Sequence, residues 1–202
     1  MELKITSYCK INDSKCTLNG ADFYTYEESD ISPVKQLYKF IALEYPKFYK
    51  MDVLSKYGFI AAEILIANNQ NLKDYKDDEI CLLFTNTNSS TLTDLKYQET
   101  IQKEKPSPSP SMFVYTLPNI LLGEIAIRNK WYGENMFFVL EKFDTNFLTL
   151  YAETLLASKD NKACIIGWVD IRNDKKDVFL LSIEQSEKGI TFNQENLIKI
   201  YQ

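Results

Sequence analysis

The sequence predicts an α/β fold in which helices cover both faces of a mixed β-sheet, a three-layer α/β sandwich. Continuous apolar runs at residues 80–85, 136–140 and 163–169 are typical of strands buried on both faces. Stretches of helical periodicity lie between these runs, and this alternation is the pattern of βαβ units. A further apolar run at 177–183 follows a charged turn that is too short to contain a helix, so this last strand is expected to be antiparallel to its neighbour.

The first third of the chain predicts one strand and two helices. Residues 3–11 alternate apolar and polar side chains as a strand does, and residues 16–30 are expected to form a polar loop. A short helix is predicted between Pro33 and Pro46, because each proline interrupts the pattern. The clearest helix of the chain follows and ends at the pair Asn68-Asn69. Its apolar and small residues recur at steps of three and four: Met51, Leu54, Gly58, Ala61 and Leu65.

The stretch from Ser107 to Asp144 organises the middle of the chain. Pro118 suits the first turn of a helix, where its missing N–H costs nothing. Ile127 is assigned to the buried side of this helix, and Gly123 is expected to let a neighbouring backbone come close. Asp144 is the predicted N-cap of the next helix, which runs to residue 158.

Three further segments connect these elements. The polar residues 86–90 contain no glycine and no phosphate-binding motif, so their side chains are expected to bond their own backbone. Residues 106–111 are rich in Ser and Pro, as a stiff linker would be, but the flanking segments are too short for separate cores. We therefore expect an internal loop within a single domain, residues 1–202. Residues 189–202 are expected to add a short strand or helix.

Composition excludes several function classes. The net charge of −5 argues against a general nucleic-acid-binding protein. Lys96, Lys103 and Lys105 lie close in sequence and could form a local basic patch, although a solvated loop is the simpler interpretation. The sequence contains no run of about 18 apolar residues and no signal-peptide pattern. A cytoplasmic protein without a membrane partner is expected.

The cysteines predict no catalytic or metal site. They form no C-x-x-C pair, and the chain contains no His to complete a metal site, so no metal or cofactor is expected. Cys81 and Cys164 lie in apolar strands, where a thiol behaves as a small apolar group. Cys9 and Cys16 could close a small disulfide loop, which a reducing compartment would disfavour.

One motif resembles a known family. Pro118-Asn119, Gly123, Ala126-Ile127-Arg128 and Gly133-x-Asn135 are similar to the PN-x3-G-x2-AIR-x4-G-x-N run of the β-ketoacyl synthases, the condensing enzymes of fatty acid and polyketide synthesis. Further similar segments extend the resemblance over most of the chain: Lys50-Met51-Asp52, Ala61-Ala62, 80–90 and 164–170.

The resemblance implies a fold. It predicts the N-terminal half of the thiolase-like architecture, a three-layer α/β/α half-fold. Its five-stranded mixed sheet has the order βαβαβαββ along the chain, with the last strand antiparallel.

The resemblance also identifies a position where the family's nucleophile is missing. In the family, the strand after Gly-x-Asn delivers a catalytic Cys to the start of a buried helix, and two His residues come from the second half of the protein. The corresponding position falls near Lys142, with Glu141 or Phe143 one residue away, and none of these is Cys. Lys142 is expected to be a surface residue, the alternative being a buried, activated amine. Thr145 is expected to be a first-turn residue and not a substitute nucleophile.

The function implied is therefore that of a non-catalytic ketosynthase-like protein. It would resemble the chain-length-factor or accessory subunits of fatty acid, polyketide or aryl-polyene synthesis. Two alternatives stay open: a β-ketoacyl-acyl-carrier-protein synthase activity completed by another chain, and a homodimer that binds acyl groups or an acyl carrier protein.

A partner chain is predicted from one strand. A strand of this composition that is left unpaired at a sheet edge would aggregate, so we expect it to pair with a second copy or with a full-length ketosynthase. The exposed face of the helix after Asp144 also needs a cover, either the C-terminal tail or a partner. The predicted edge strand consists of Met136, Phe137, Phe138, Val139 and Leu140.

Overall fold

The computed structural model describes residues 2–102, 106–173 and 175–202. Within these ranges the strands are β1 Leu3–Ile11, β2 Lys15–Leu18, β3 Ala21–Thr25, β4 Ile80–Asn86, β5 Asn135–Val139, β6 Ala163–Ile171, β7 Lys176–Gln185 and β8 Ile190–Thr191. The α-helices are α1 Pro33–Phe40, α2 Val53–Asn68, α3 Thr91–Ile101, α4 Pro110–Val114, α5 Ile120–Asn129, α6 Thr145–Leu156 and α7 Gln194–Tyr201. Two short 3₁₀ helices span Pro46–Lys50 and Gln70–Lys73.

All eight described strands belong to one mixed sheet. Seven follow the order β3-β2-β1-β7-β6-β4-β5, and β8 pairs with β1. Strand β4 is parallel to both β5 and β6, whereas β7 is antiparallel to β6 and to β1. The five predicted strands are β1, β4, β5, β6 and β7, and the antiparallel direction of β7 is confirmed. The sheet is wider than the predicted five strands.

The prediction of a polar loop at residues 16–30 was wrong, because part of this segment forms the hairpin β2–β3. Leu18 pairs with Ala21, so Asn19 and Gly20 form a two-residue turn, and both have positive φ, 52° and 82°. Asn-Gly is the dipeptide that this tight hairpin turn favours. The hairpin is held by packing as well, since the Tyr24 ring lies 4.6 Å from the ring of Phe40 in α1.

Apolar side chains fill both faces of the sheet, which confirms the three-layer architecture. One core cluster includes α1, α2 and α5, and the other includes α6 and α7. Helix α2 is the most buried helix because it packs on β1, β6 and β7 and also on α5. Asp52 caps its first turn by accepting a hydrogen bond from the Ser55 N–H at 2.9 Å.

Helix α5 differs from its prediction in three respects. It begins at Ile120, so Pro118 precedes the helix instead of lying in its first turn. Ile127 is 65% exposed, because the buried side is formed by Leu121 and its neighbours at 122, 124 and 125. A Cβ placed on Gly123 would meet no atom within 4 Å, so no backbone packs closely there. The close approach occurs instead at Gly58 of α2, which packs against the Leu121 side chain.

These two helical glycines give a matched pair of substitutions. Gly58→Ala should lower the free energy of unfolding by about 1–3 kcal/mol, because the new Cβ would overlap Leu121. Gly123→Ala should raise it by up to about 1 kcal/mol, because alanine favours the helix and the space is open. Urea unfolding of both variants tests this, and equal effects of the two would contradict the packing of α2 on α5.

The remaining segments carry short elements. Helix α4 begins inside the expected loop at 106–111, with the Ser109 side chain capping it, and the Phe113 ring lies 5.4 Å from that of Tyr97 in α3. That residues 106–111 are internal to a single domain stays a prediction. At the C-terminus both a strand, β8, and a helix, α7, are present.

Candidate functional site

The turn between β5 and α6 contains the position that the sequence resemblance matches to the nucleophile of the β-ketoacyl synthases. Lys142 and Glu141 are both exposed there. The burial that an activated amine requires is therefore absent at Lys142. Asp144 caps α6, as predicted, by accepting a hydrogen bond from the Phe147 N–H at 2.9 Å. Thr145 is the first residue of α6, and its hydroxyl lies 3.4 Å from the amide nitrogen of Gln194.

Phe143, in the same turn, is half-buried and packs against helix α7. Its ring stacks on that of Tyr201 with centroids 3.9 Å apart and meets the edge of Trp168 at 5.7 Å. Tyr201 is held at two points, because Lys10 donates to its carbonyl at 2.6 Å and its hydroxyl donates to Asp177 at 2.7 Å. Helix α7 therefore covers the start of α6, which is one of the two covers expected for that helix.

The polar segment at residues 86–90 lies beside this turn and is rigidly bonded. The Asn86 side chain donates to the Ser89 carbonyl at 2.8 Å and accepts from the Ser89 N–H at 2.9 Å, as expected for a loop bonded to its own backbone. Asp170, at the end of β6, accepts from the Thr87 N–H at 3.0 Å and from its hydroxyl at 2.7 Å. Arg172 completes the cluster at 3.1 Å from Asp170. These bonds join the carboxyl ends of β4 and β6.

The cysteines lie in the core. Cys81 and Cys164 face each other across β4 and β6 and are fully buried, as predicted. The Sγ atoms of Cys9 and Cys16 lie 3.7 Å apart as buried free thiols. The hydrogen bond between these two thiols and their burial raise the pKa of Cys9, and burial raises that of Cys164, which is the opposite of what a reactive thiolate requires. No group of potential metal ligands occurs among the described residues.

Strand β5 forms one edge of the sheet, and its hydrogen bonds to β4 define its two sides. The Glu134 carbonyl accepts from the Leu82 N–H at 2.8 Å, and the Leu140 N–H donates to the Asn86 carbonyl at 2.8 Å. Backbone groups of successive residues in a strand point in opposite directions. The even-numbered residues of this segment therefore bond β4.

The odd-numbered residues present their backbone groups to the outer side. These are Asn135, Phe137 and Val139, and no described strand lies on their outer side. The strand is also less buried than predicted, since positions 136–138 are half-buried and the Val139 residue is 53% exposed. Its place at the edge explains the difference. An unpaired row of N–H and C=O groups on an apolar strand is a template for another strand.

Helices α5 and α6 both pack near β5, and both carry exposed apolar side chains. Phe138 packs on α6, with its ring 5.1 Å from the rings of both Phe147 and Tyr151. Further along α6, Leu150 is 63% exposed, and Ile127 of α5 is exposed to a similar degree. Exposed apolar groups on both adjoining helices are typical of a protein interface.

The sequence analysis grouped three lysines that lie close in sequence. Lys96 is exposed on α3, and Lys103 and Lys105 lie outside the described residues.

None of the described helices combines the length and the apolar character that crossing a membrane would need.

No protein-family model matches the sequence, and no curated protein matches it significantly. Solved structures do match. The ishigamide ketosynthase/chain length factor superposes with a TM-score of 0.69 at 14% identity, over 94% of this chain and 63% of that chain. The ketosynthase (ApeO) in complex with its chain length factor (ApeC) from Xenorhabdus doucetiae gives a TM-score of 0.60 at 13% identity, over 92% of this chain and 80% of that chain.

A third match is a complex of a type II PKS acyl-carrier protein with its ketosynthase bound to the hexaketide (AntDE:AntF). Its TM-score is 0.67 at 11% identity, over 98% of this chain and 64% of that chain. This chain thus spans less than two thirds of the length of the first and third structures. Identities this low define the fold and not the activity. The chain has the thiolase-like α/β/α fold of the ketosynthases and chain length factors, as the sequence resemblance predicted.

Proposed function

We propose that this protein is a non-catalytic ketosynthase-like subunit, similar in role to a chain length factor, that pairs through β5 with a second chain. The observation that carries the proposal is a ketosynthase fold in which the position matched to the nucleophile is occupied by other residues. Lys142 and Glu141 are exposed there, and Phe143 is half-buried. The chain would thus retain the ketosynthase fold but lack the nucleophile that condensation requires. The pathway would be fatty acid, polyketide or aryl-polyene synthesis.

The cysteines and the lack of His support the proposal that this chain alone does not catalyse condensation. A condensing enzyme holds the growing acyl chain as a thioester, which needs a thiolate with access to substrate. All four cysteines are buried free thiols. Their burial excludes an acyl donor and disfavours the thiolate. The sequence also offers no His to act as base or to assist decarboxylation.

The outer side of β5, at the edge of the sheet, supports the proposal of a partner chain. The outward backbone groups of β5 could extend the sheet into a second chain, and the exposed apolar residues Ile127 and Leu150 would be covered in the same step. Either a second copy or a full-length ketosynthase would satisfy this edge. Among the matched structures are a ketosynthase with its chain length factor and a ketosynthase with an acyl-carrier protein, which favours a ketosynthase and an acyl-carrier protein as partners.

The proposal is tested by acyl transfer. The isolated protein, incubated with an octanoyl thioester, should gain no mass by intact-protein mass spectrometry, whereas a full-length ketosynthase from the same organism should gain one octanoyl group. Mixed together, the two proteins should co-elute, and the ketosynthase should make products of different chain length from those it makes alone. Lys142→Ala should leave the activity of the mixture unchanged, because Lys142 is an exposed residue without a catalytic role.

Two outcomes would contradict the proposal. Acylation of the isolated chain would favour an enzyme with its own nucleophile. A stable homodimer that binds the acyl carrier protein but never the ketosynthase would favour the acyl-carrier-binding alternative.

A further inference from the structure

A cavity of about 570 Å³ lies on the opposite side of the fold from α6 and α7, between α1, the first turn of α2, α3 and α4. Its apolar wall includes Met51, Tyr57 and Tyr115, which are buried, and Met112, which is half-buried. A cavity of this size and character can hold a small organic molecule.

Five lysines surround this wall, and we call the whole the basic cavity: Lys35, Lys50, Lys56, Lys96 and Lys176. They come from α1, from the 3₁₀ turn, from α2, from α3 and from the start of β7. Such a concentration of positive charge is unexpected in a protein whose net charge is −5.

These lysines are not neutralised by the wall itself. Asp52 is the one carboxylate among the described lining residues. Its Oδ1 accepts from the Ser55 N–H at 2.9 Å, and its Oδ2 accepts from the Thr93 hydroxyl at 2.7 Å. Lys176 pairs with Asp13 at 3.3 Å. Within the described ranges, the other four lysines form no ion pair with a carboxylate, so the basic cavity carries an excess of positive charge.

Lys56 shows the effect of this excess most directly. It is half-buried, with its Nζ 5.9 Å from the centre of the Phe48 ring. Burial lowers the pKa of Lys56, and the nearby charges of Lys35 and Lys96 lower it further, while Asp52 opposes them. All three lysines line the same cavity, and an anion bound there would offset the repulsion of Lys56 by Lys35 and Lys96.

We infer that the basic cavity binds a phosphate ester with an apolar chain, its phosphate between Lys35, Lys56 and Lys96 and its chain against Met51 and Met112. A phosphate carries up to two negative charges and three acceptor oxygens, which suits a cavity lined by several lysines better than a single carboxylate does. The apolar wall accounts for the chain, since lysines alone would bind inorganic phosphate. The site is separate from β5 and does not depend on the proposed function.

Isothermal titration calorimetry with three probes tests the inference: n-hexyl phosphate, inorganic phosphate and 1-hexanol. Hexyl phosphate should bind at least about tenfold more tightly than either of the others, because it alone uses both the charge and the apolar wall. Lys56→Gln and Lys96→Gln should each weaken its binding about fivefold to tenfold. Lys159→Gln is the matched control, because Lys159 is an exposed lysine that lines a different cavity, and it should change nothing.

A second measurement separates two sources of the phosphate. Phosphatidylcholine vesicles with and without phosphatidic acid are sedimented with the protein. Co-sedimentation that needs phosphatidic acid and Lys56 would assign the site to a lipid headgroup, and binding of hexyl phosphate alone would assign it to a soluble ester. Equal affinity for hexyl phosphate and inorganic phosphate, or full affinity in a folded Lys56→Gln/Lys96→Gln variant, would overturn the inference.

Discussion

Replacing Val139 with proline should convert the protein from a dimer to a monomer of 23.5 kDa. Val139 lies on the outer side of β5, so its N–H does not bond β4, and the residue is 53% exposed. Proline removes that N–H and places its ring where a partner strand would pair, yet edge strands tolerate proline. The fold should therefore persist while the pairing is lost.

Light scattering of the pure protein measures this directly. The wild type should have twice the mass of the chain, and Val139→Pro should have the mass of one chain. Val139→Thr is the matched control, because it keeps the N–H and a β-branched side chain, and it should remain dimeric. Phe138 is a poorer probe, since its ring packs on Phe147 and Tyr151 and its loss would disturb the core.

Two results would decide against the homodimer. If the wild type is already monomeric, pairing is restricted to a different chain, and the same variants should be tested for binding to a full-length ketosynthase. If Val139→Pro stays dimeric, the contact between copies lies elsewhere on the surface and the role assigned to β5 fails.

Replacing Glu184 should produce the largest loss of stability of any polar substitution in the sheet. This carboxylate is almost fully buried in β7 beside the end of α2. It accepts hydrogen bonds from the Thr6 and Tyr75 hydroxyls, both at 2.6 Å, and from the side-chain amides of Asn69 and Asn71 at 3.1 and 3.2 Å. Glu184→Leu would remove the acceptor that these four donors share, of which Asn69 is buried and Thr6 and Tyr75 are half-buried, and should lower the free energy of unfolding by about 3–5 kcal/mol.

The same group predicts a pH dependence. Burial would raise the pKa of Glu184, but the hydrogen bonds from Thr6, Tyr75, Asn69 and Asn71 outweigh it, and the net result is a pKa below the ordinary value of 4.5. At a pH between these two values the unfolded chain binds more protons than the folded chain. The contribution of Glu184 is therefore fully present above pH 4.5 and is lost as the pH falls through the folded-state pKa.

Urea unfolding at neutral pH and at successively lower pH tests both statements. Glu184→Gln, which keeps the shape but not the charge, should be less stable than the wild type at pH 7, and the difference should shrink on acidification. Glu187→Gln, at an exposed site close by in sequence, is the control and should follow the wild type. A constant difference between wild type and Glu184→Gln at every pH would contradict the assignment.

The elements most accurately predicted from sequence were those whose pattern depends on burial alone. The apolar runs of β4, β5, β6 and β7 and the periodicity of α2 located these elements to within one or two residues, because full burial leaves a continuous or strongly periodic signal. The short connection before β7 also set its direction correctly, since a chain of that length can only turn back.

Other features depend on contacts that the local pattern does not contain. Periodicity assigned Ile127 to the buried side of α5, whereas the side that packs is set by Leu121 against Gly58, 63 residues earlier in sequence. The strands of the hairpin β2–β3 are short and mix polar with apolar residues, and only the Asn19-Gly20 turn could have indicated it.

The basic cavity also could not be predicted from residues that are close in sequence. Sequence proximity grouped Lys96 with residues 103 and 105, but folding places Lys96 with Lys35, Lys56 and Lys176, which come from three distant segments. The match of Lys142 to the family's nucleophile position rests on the resemblance alone, because nothing in the composition marks this residue.

The pairing of β1 with β7 has a consequence for how the protein is made. Strand β1 leaves the ribosome long before its partner on the core side of the sheet, because β1 ends at Ile11 and β7 begins only at Lys176. Strand β1 must therefore wait until β7 has been synthesised before the two can pair, and contacts this distant in sequence also form slowly. During that interval the apolar strands are exposed to other nascent chains, so the yield of folded protein should depend on chaperones and on the rate of translation.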